Sequence, residues 1–214
     1  MTAKTVSDYR IVGLPNARIV LASASRTRRR LLEDAGVPHI VKPSRVDEDE
    51  IKLSLRAEGA SSIALAEVLA EAKATYVSRK HPDAMVLGAD QVLVCEGETF
   101  DKPVDREDAL RQLQSLRGKR HDLISYAVIV RGGQRIWQGV DTARLQIRAD
   151  AGDEFLNAYL DAAGGDAFNG PGAYRIESLG VQLFSRIDGS YYTILGLPML
   201  ALLDYLRTNG ILMK

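Results

Sequence analysis

Three hydroxyls and four arginines crowd one short stretch, Ser23-Ala24-Ser25-Arg26-Thr27-Arg28-Arg29-Arg30. It follows Ile19-Val20-Leu21, which reads as a short buried strand, and it opens a basic helix predicted from about Arg26 to Ala35. The first N–H groups of a helix have no internal partners and carry partial positive charge. Hydroxyls and guanidinium groups placed there make an anion site suited to phosphate, with Ser23, Ser25 and Arg28 as its candidates. The plainer alternative is an N-cap serine followed by a solvated basic face. Arginines in the first turns oppose the helix dipole, so they cost stability unless an anion sits nearby.

Asp90 is the candidate reactive acid. It closes the apolar run Met85-Val86-Leu87, after the small residues Gly88 and Ala89, which let a ligand approach. A carboxylate at the end of such a strand can hold a metal ion or take a proton from water; a turn aspartate is the alternative. The acidic run Asp47-Glu48-Asp49-Glu50 reads as a solvated segment from which one or two carboxylates can face a cleft and bind Mg²⁺. Lys73 lies inside a predicted helix, where a lysine is ordinarily at the surface. Lys102 precedes Pro103, which stiffens the loop and aims the ammonium. An anion pocket, carboxylates and lysines together suit metal-assisted attack of water on a phosphoanhydride. Neither a P-loop nor a dinucleotide-binding glycine fingerprint is present. A serine nucleophile would need a base, and no histidine is near Ser23 or Ser25 in sequence.

These residues need a scaffold that brings distant segments together. A second strand is predicted near Ile40-Val41, and an amphipathic helix over Ser61–Ser78 with Ile63, Leu65, Ala66, Leu69, Ala70 and Ala74 inward. A strand through Val86 and Leu87 and its continuation Val92-Leu93-Val94 flank Asp90, and Glu96-Gly97-Glu98 makes a turn. Asp105, with Asp108 three residues on, caps the next helix. A hairpin follows, with Leu123–Val130 and Arg135–Arg148 joined at Gly132-Gly133. A helix over Asp153–Ala163, a glycine-rich loop at Asn169–Gly172, a strand near Val181–Ile187 and a terminal helix after Gly196-Leu197-Pro198 complete the chain. Early alternation and a late hairpin predict an α/β protein, a mixed sheet flanked by helices. The ligand belongs in a cleft at the ends of the early strands.

Composition narrows the function. The 214 residues carry 28 basic and 28 acidic side chains, a formal charge of zero, which argues against general DNA or membrane-surface binding. Aromatics at 6% make an RNA-binding module the weakest reading of the arginines. Cys95 stands alone, so no intrachain disulfide or cysteine-zinc cluster forms, in keeping with a reducing, cytoplasmic setting. His39, His81 and His121 are far apart, which leaves hard cations on carboxylate oxygens as the expected metals. The first seventeen residues, with Lys4, Asp8 and Arg10, lack the apolar core of a signal peptide. The uncharged run Gly189–Leu203 contains Pro198 and falls short of the roughly 20 residues that span a bilayer. Residues 1–17 are expected to be an extension and residues 18–214 one domain.

In these segments the chain resembles the Maf family of nucleoside triphosphate pyrophosphatases. The likeness runs from Ile19 to Leu212 and rests on seven segments in order. They are Leu-Ala-Ser-Ala-Ser with Arg28 and Leu31-Leu32; Val46-Asp47-Glu48; Ala70-Glu71-Ala72-Lys73-Ala74; Gly88-Ala89-Asp90-Gln91-Val92; Lys102-Pro103; Leu116-Arg117-Gly118 with His121; and Gly189-Ser190-Tyr191 before Gly196-Leu197-Pro198. The resemblance implies hydrolysis between the α and β phosphates of a nucleotide with a divalent cation, Mg²⁺ or Mn²⁺. It implies Asp90 as the proton acceptor, Ser23, Arg28, Lys73 and Lys102 on the triphosphate, and Glu48 with Asp90 at the metal. The implied fold is the elongated, two-lobed α/β architecture of inosine triphosphatases with a central cleft, in many members as a homodimer.

Base selectivity is expected at Thr27, Gln91 and Glu177. Gln91 and Glu177 look like the 7-methyl-GTP pyrophosphatase branch, whereas the dTTP/UTP branch has a second arginine, a threonine and a glutamine at these three places. A carboxylate at Glu177 accepts hydrogen bonds from the guanine N1–H and exocyclic amine and favours a positively charged methylated base. A surface pair with Arg175 is the plain alternative. Thr27 matches neither branch. The rival functions are a dTTP/UTP or other nucleotide pyrophosphatase, and a nucleotide-binding regulator of septum formation without turnover.

Overall fold

Three consecutive apolar residues form β1 (Ile19–Leu21), buried along its whole length as a strand covered on both faces must be. It pairs in parallel with β2 (His39–Val41) on one side and β3 (Val86–Cys95) on the other. Helix α1 (Arg26–Asp34) leads from β1 to β2, and α2 (Glu48–Ala57) and α3 (Ser62–Ser78) lead from β2 to β3. The direction of winding therefore reverses at β1. The carboxyl end of such a strand is where open α/β sheets bind ligands, and the Ser23–Ser25 loop leaves from it. The computed structural model describes residues 18–214; the extension expected over 1–17 lies outside the described residues.

Beyond β3 come β4 (Glu98–Phe100), α4 (Arg106–Leu116), the hairpin β5 (Arg120–Arg131) and β6 (Gln134–Ile147), α5 (Asp153–Ala163), β7 (Phe184–Asp188), α6 (Tyr191–Ile194) and α7 (Met199–Thr208). The sheet is mixed and seven-stranded, in the order β2-β1-β3-β5-β6-β7 with β4 antiparallel on β3. This is the expected mixed α/β class.

The chain divides into two compact units. The first holds the described residues up to Gln91, Ser125–Asp141 and Tyr191–Lys214; the second holds Val92–Ile124 and Thr142–Ser190. In the first, Ile19, Leu21, Leu87, Ala89, Ala127 and Ile129 from the strands pack with Leu31 and Leu32 of α1 and Met199, Leu202 and Leu206 of α7. In the second, α4 packs on α5 and on the turn at 171–173, with Leu113, Leu116, Leu156 and Leu160 buried.

Several elements depart from expectation. The acidic run is no loop: Asp47 caps α2, its Oδ1 accepting from the Glu50 N–H at 3.1 Å, and Glu48, Asp49 and Glu50 fill the first turn, where negative charge suits the dipole. Asp90 does not end its strand, because β3 continues to Cys95 after β1 has stopped. Glu98–Phe100 folds back as β4, and the last strand begins at Phe184, after a 3₁₀ turn at Leu179–Leu183. Ile63 has the angular position of the buried stripe but is 47% exposed in the first turn of α3. Helical periodicity fixes the direction of a side chain, not whether a neighbour exists at that height.

Candidate active site

α3 and β3 build the centre. The alanines Ala66, Ala70 and Ala74 form a shallow face on α3, and Gly88 on β3 removes the remaining obstacle. A Cβ at Gly88 would lie 2.2 Å from the Ala70 carbonyl oxygen and 2.8 Å from Ala74 Cβ, so only glycine permits this approach. Strand alternation sends Asp90 to the same face as Gly88. Lys73, three residues beyond Ala70, follows the same face of the helix. The two meet there: Lys73 Nζ lies 2.6 Å from Asp90 Oδ1 and 2.8 Å from Glu48 Oε2. Lys73 is 5% exposed and Asp90 7%. Lys73 is thus no surface lysine. It continues the stripe Ala66-Leu69-Ala70-Lys73-Val77, and a lysine inside an apolar stripe was the signal for its role.

Arg28 is the one arginine of its cluster that turns inward. Arg26, Arg29 and Arg30 are exposed, and the last two pair with Glu33 and Asp34 one turn on, so their charge at the helix start is offset locally. The buried Arg28 donates from Nε to the Gly196 carbonyl and from Nη1 to the Ala89 carbonyl, each at 2.9 Å, and from Nη1 to Ser23 Oγ at 3.5 Å. Burial pulls its guanidinium below the ordinary arginine value, while Asp90 and then Glu48 act in the opposite direction. Ser25 caps α1, accepting from the Arg28 N–H at 3.3 Å, and Ser23 Oγ accepts from the Ser25 N–H at 3.2 Å. Thr27 is partly exposed on the same turn.

Ser23, Ser25, Arg28, Glu48, Lys73 and Asp90 therefore belong to one unit and gather at the end of β1. The arrangement alternates charge: two cations, two carboxylates and hydroxyl donors, with Asp90 nearly enclosed. Such a cluster can grip an anion, polarise a phosphoryl oxygen and take a proton from water.

Gln91, next in the strand, points to the opposite face. Its Nε2 faces Thr193 O at 2.9 Å, Ile194 O at 3.0 Å and Ser125 Oγ at 3.1 Å. Lys102 and Glu177 lie in the second unit. Lys102 is exposed on the segment after β4. Glu177 accepts from Arg175 Nε at 3.0 Å, the surface pair that was its plainer reading.

A hard divalent cation fits this chemistry. No group of three or more His, Cys, Asp or Glu side chains is placed to hold a metal among the described residues. Yet Asp90 and Glu48 aim oxygens at one buried positive charge, and a magnesium-type site commonly uses one or two carboxylates with phosphate oxygens and water.

Comparison with known proteins bears on this arrangement. The family described as "Maf-like protein" matches residues 18–209. The chain is 48% identical over 191 residues to a nucleoside triphosphate pyrophosphatase of Paramagnetospirillum magneticum, covering 89% of this chain and 98% of that protein. It is 47% identical over 192 residues to one of Granulibacter bethesdensis, covering 90% and 97%. One of Ruegeria sp. is 48% identical over 197 residues, covering 92% and 98%.

Proposed function

The chain belongs to the Maf family, and from that premise we propose that it hydrolyses a nucleoside triphosphate between the α and β phosphates, with 7-methyl-GTP preferred. The products are the nucleoside monophosphate and pyrophosphate. The observation that carries the reading is the buried Lys73–Asp90 contact at 2.6 Å, with Glu48 and Arg28 beside it.

Asp90 takes a proton from the attacking water. Lys73 holds the carboxylate in one orientation through Oδ1, which leaves Oδ2 for that proton. Arg28 and Lys73 offset the negative charge that grows on the phosphoryl oxygens, in a site whose burial strengthens each interaction. Ser23 and Ser25 supply hydroxyls at the start of α1, where partial positive charge also favours phosphate. Glu48 and Asp90 are the residues that would hold Mg²⁺ or Mn²⁺, which supplies charge neutralisation and orientation of the phosphates when bound. The resemblance adds Lys102 to the phosphate-binding cations.

The preference for a methylated guanine rests on Glu177. A carboxylate can accept from the guanine N1–H and exocyclic amine and complement the positive ring, whereas uracil and thymine offer a single imide donor. The cytoplasm is the proposed setting, on the strength of the single buried thiol, Cys95. No helix among the described residues is long and apolar enough to cross a membrane. The test is pyrophosphate release over 7-methyl-GTP, GTP, UTP and dTTP with Mg²⁺ or Mn²⁺. Turnover fastest on 7-methyl-GTP is expected. Preference for UTP would remove the base assignment and spare the reaction, and saturable binding with no hydrolysis would favour a regulator without turnover.

A further inference from the structure

Asp90 is flanked by two residues that grip the same turn from opposite ends. On one side, the Ala89 carbonyl accepts from Arg28 Nη1 at 2.9 Å, and Arg28 Nε donates to the Gly196 carbonyl at 2.9 Å. Gly196 has φ +101°, and a Cβ there would stand 3.1 Å from Arg28 Nε, so the turn is shaped to the guanidinium. On the other side, Gln91 Nε2 donates to the carbonyls of Thr193 and Ile194. Between these ends the turn closes on itself, with the Gly196 N–H donating to Thr193 O at 3.0 Å. The result is a ring of hydrogen bonds that leaves β3 at Ala89, passes through Arg28 and Gly196, and re-enters β3 at Gln91.

The chemistry of Gln91 is settled by its neighbours. Two backbone carbonyls can only accept, so the amide must present its nitrogen to them. Ser125, fully buried, donates to Thr193 O at 2.7 Å and accepts from Gln91 Nε2 at 3.1 Å. Both amide protons are thereby committed inside the protein, on the face of β3 away from Asp90. Thr193, also fully buried, donates from its hydroxyl to Asp141, which pins the turn a third time.

We infer that Gln91 is a positioning residue, which holds the 193–196 turn so that Arg28, and through it the backbone at Ala89 and Asp90, keeps its place. This rests on the proposed pyrophosphatase reaction and assigns Gln91 a role other than reading the base. The distinguishing readout is selectivity, since a base reader alters the ranking of nucleotides and a positioning residue lowers turnover of all of them together.

The experiment compares wild type with Gln91→Met, which keeps the length and removes the donor, and with Ser125→Ala, which removes the second side-chain donor to the same Thr193 carbonyl and cannot touch substrate. kcat and KM are measured for 7-methyl-GTP, GTP and UTP, and a urea midpoint checks folding. For Gln91→Met, kcat is expected to fall about tenfold or more on each nucleotide, because displacements near 1 Å can cost about 10²-fold. The kcat/KM ratio of 7-methyl-GTP to UTP should stay within about twofold of wild type, and Ser125→Ala should show the same pattern more weakly. In a double-mutant cycle with Arg28→Lys, the Gln91 effect should largely vanish. A changed substrate ratio with kcat retained, or losses that simply add in the cycle, would overturn this inference alone. Inactivity of the wild type on every nucleotide would overturn the proposed reaction and this inference with it.

Discussion

Replacing Asp90 by asparagine separates catalysis from architecture more cleanly than any other change. Asparagine keeps the shape and still offers an oxygen to Lys73, so the hydrogen bond now 2.6 Å long can survive. What goes is the negative charge and the capacity to bind a proton. Deleting one partner of a buried ion pair commonly costs about 3–5 kcal/mol. Here Lys73 retains Glu48 at 2.8 Å, so the expected destabilisation is smaller, about 1–2 kcal/mol. Loss of a general base lowers turnover by about 10²–10⁴-fold, which is about 2.7–5.5 kcal/mol of transition-state stabilisation. The catalytic loss should thus exceed the loss of stability. Initial rates of pyrophosphate release, taken with a thermal unfolding curve on the same preparation, measure both. A well-folded Asp90→Asn protein turning over within about threefold of wild type would refute the assignment of the base.

Three further outcomes are expected. Gly88→Ala should destabilise the fold by about 1–3 kcal/mol or more and lower turnover too, because the new methyl meets Ala70 and Ala74 and pushes Lys73 away from Asp90; thermal unfolding and rate measurements check this. Glu177→Gln should narrow the preference for 7-methyl-GTP over UTP by about tenfold, the scale of one hydrogen-bonded contact, read as a ratio of kcat/KM values. Burial lowers the His121 pKa from 6.5 to about 4, where the ring stays neutral beside the Tyr174 hydroxyl at 2.8 Å. Between those values the unfolded chain binds a proton that the folded chain does not. Stability from this group is complete above pH 6.5 and is lost as pH falls towards 4, on the order of 3 kcal/mol over that window. Urea midpoints from pH 7 to 4 should show that slope, and His121→Phe should flatten it.

The chemical elements of the site were legible from residue types. Ser23-Ala24-Ser25 after an apolar strand announces a phosphate-binding helix start, and Ser25 does cap α1. Gly88-Ala89-Asp90 announces an acid reached through small residues. Local signals also placed the Asp105 cap and the Gly132-Gly133 turn, because capping and hairpin chemistry depend on neighbours in sequence. Asp47 with Glu50 three residues on was such a signal for α2, hidden by reading a charge run as solvent-exposed loop.

Sequence alone, then, determined which groups were available and the class of fold that carries them. Tertiary structure decided which of four arginines turns inward, that Lys73 is buried between Glu48 and Asp90, and that Asp90 and Gln91 serve opposite faces of one strand. Those outcomes depend on contacts between different elements of the chain, such as Arg28 with Gly196 or Gly88 with Ala70. A charge buried in such a place is tolerated only where partners from distant segments meet it, and no local pattern in the chain records that meeting.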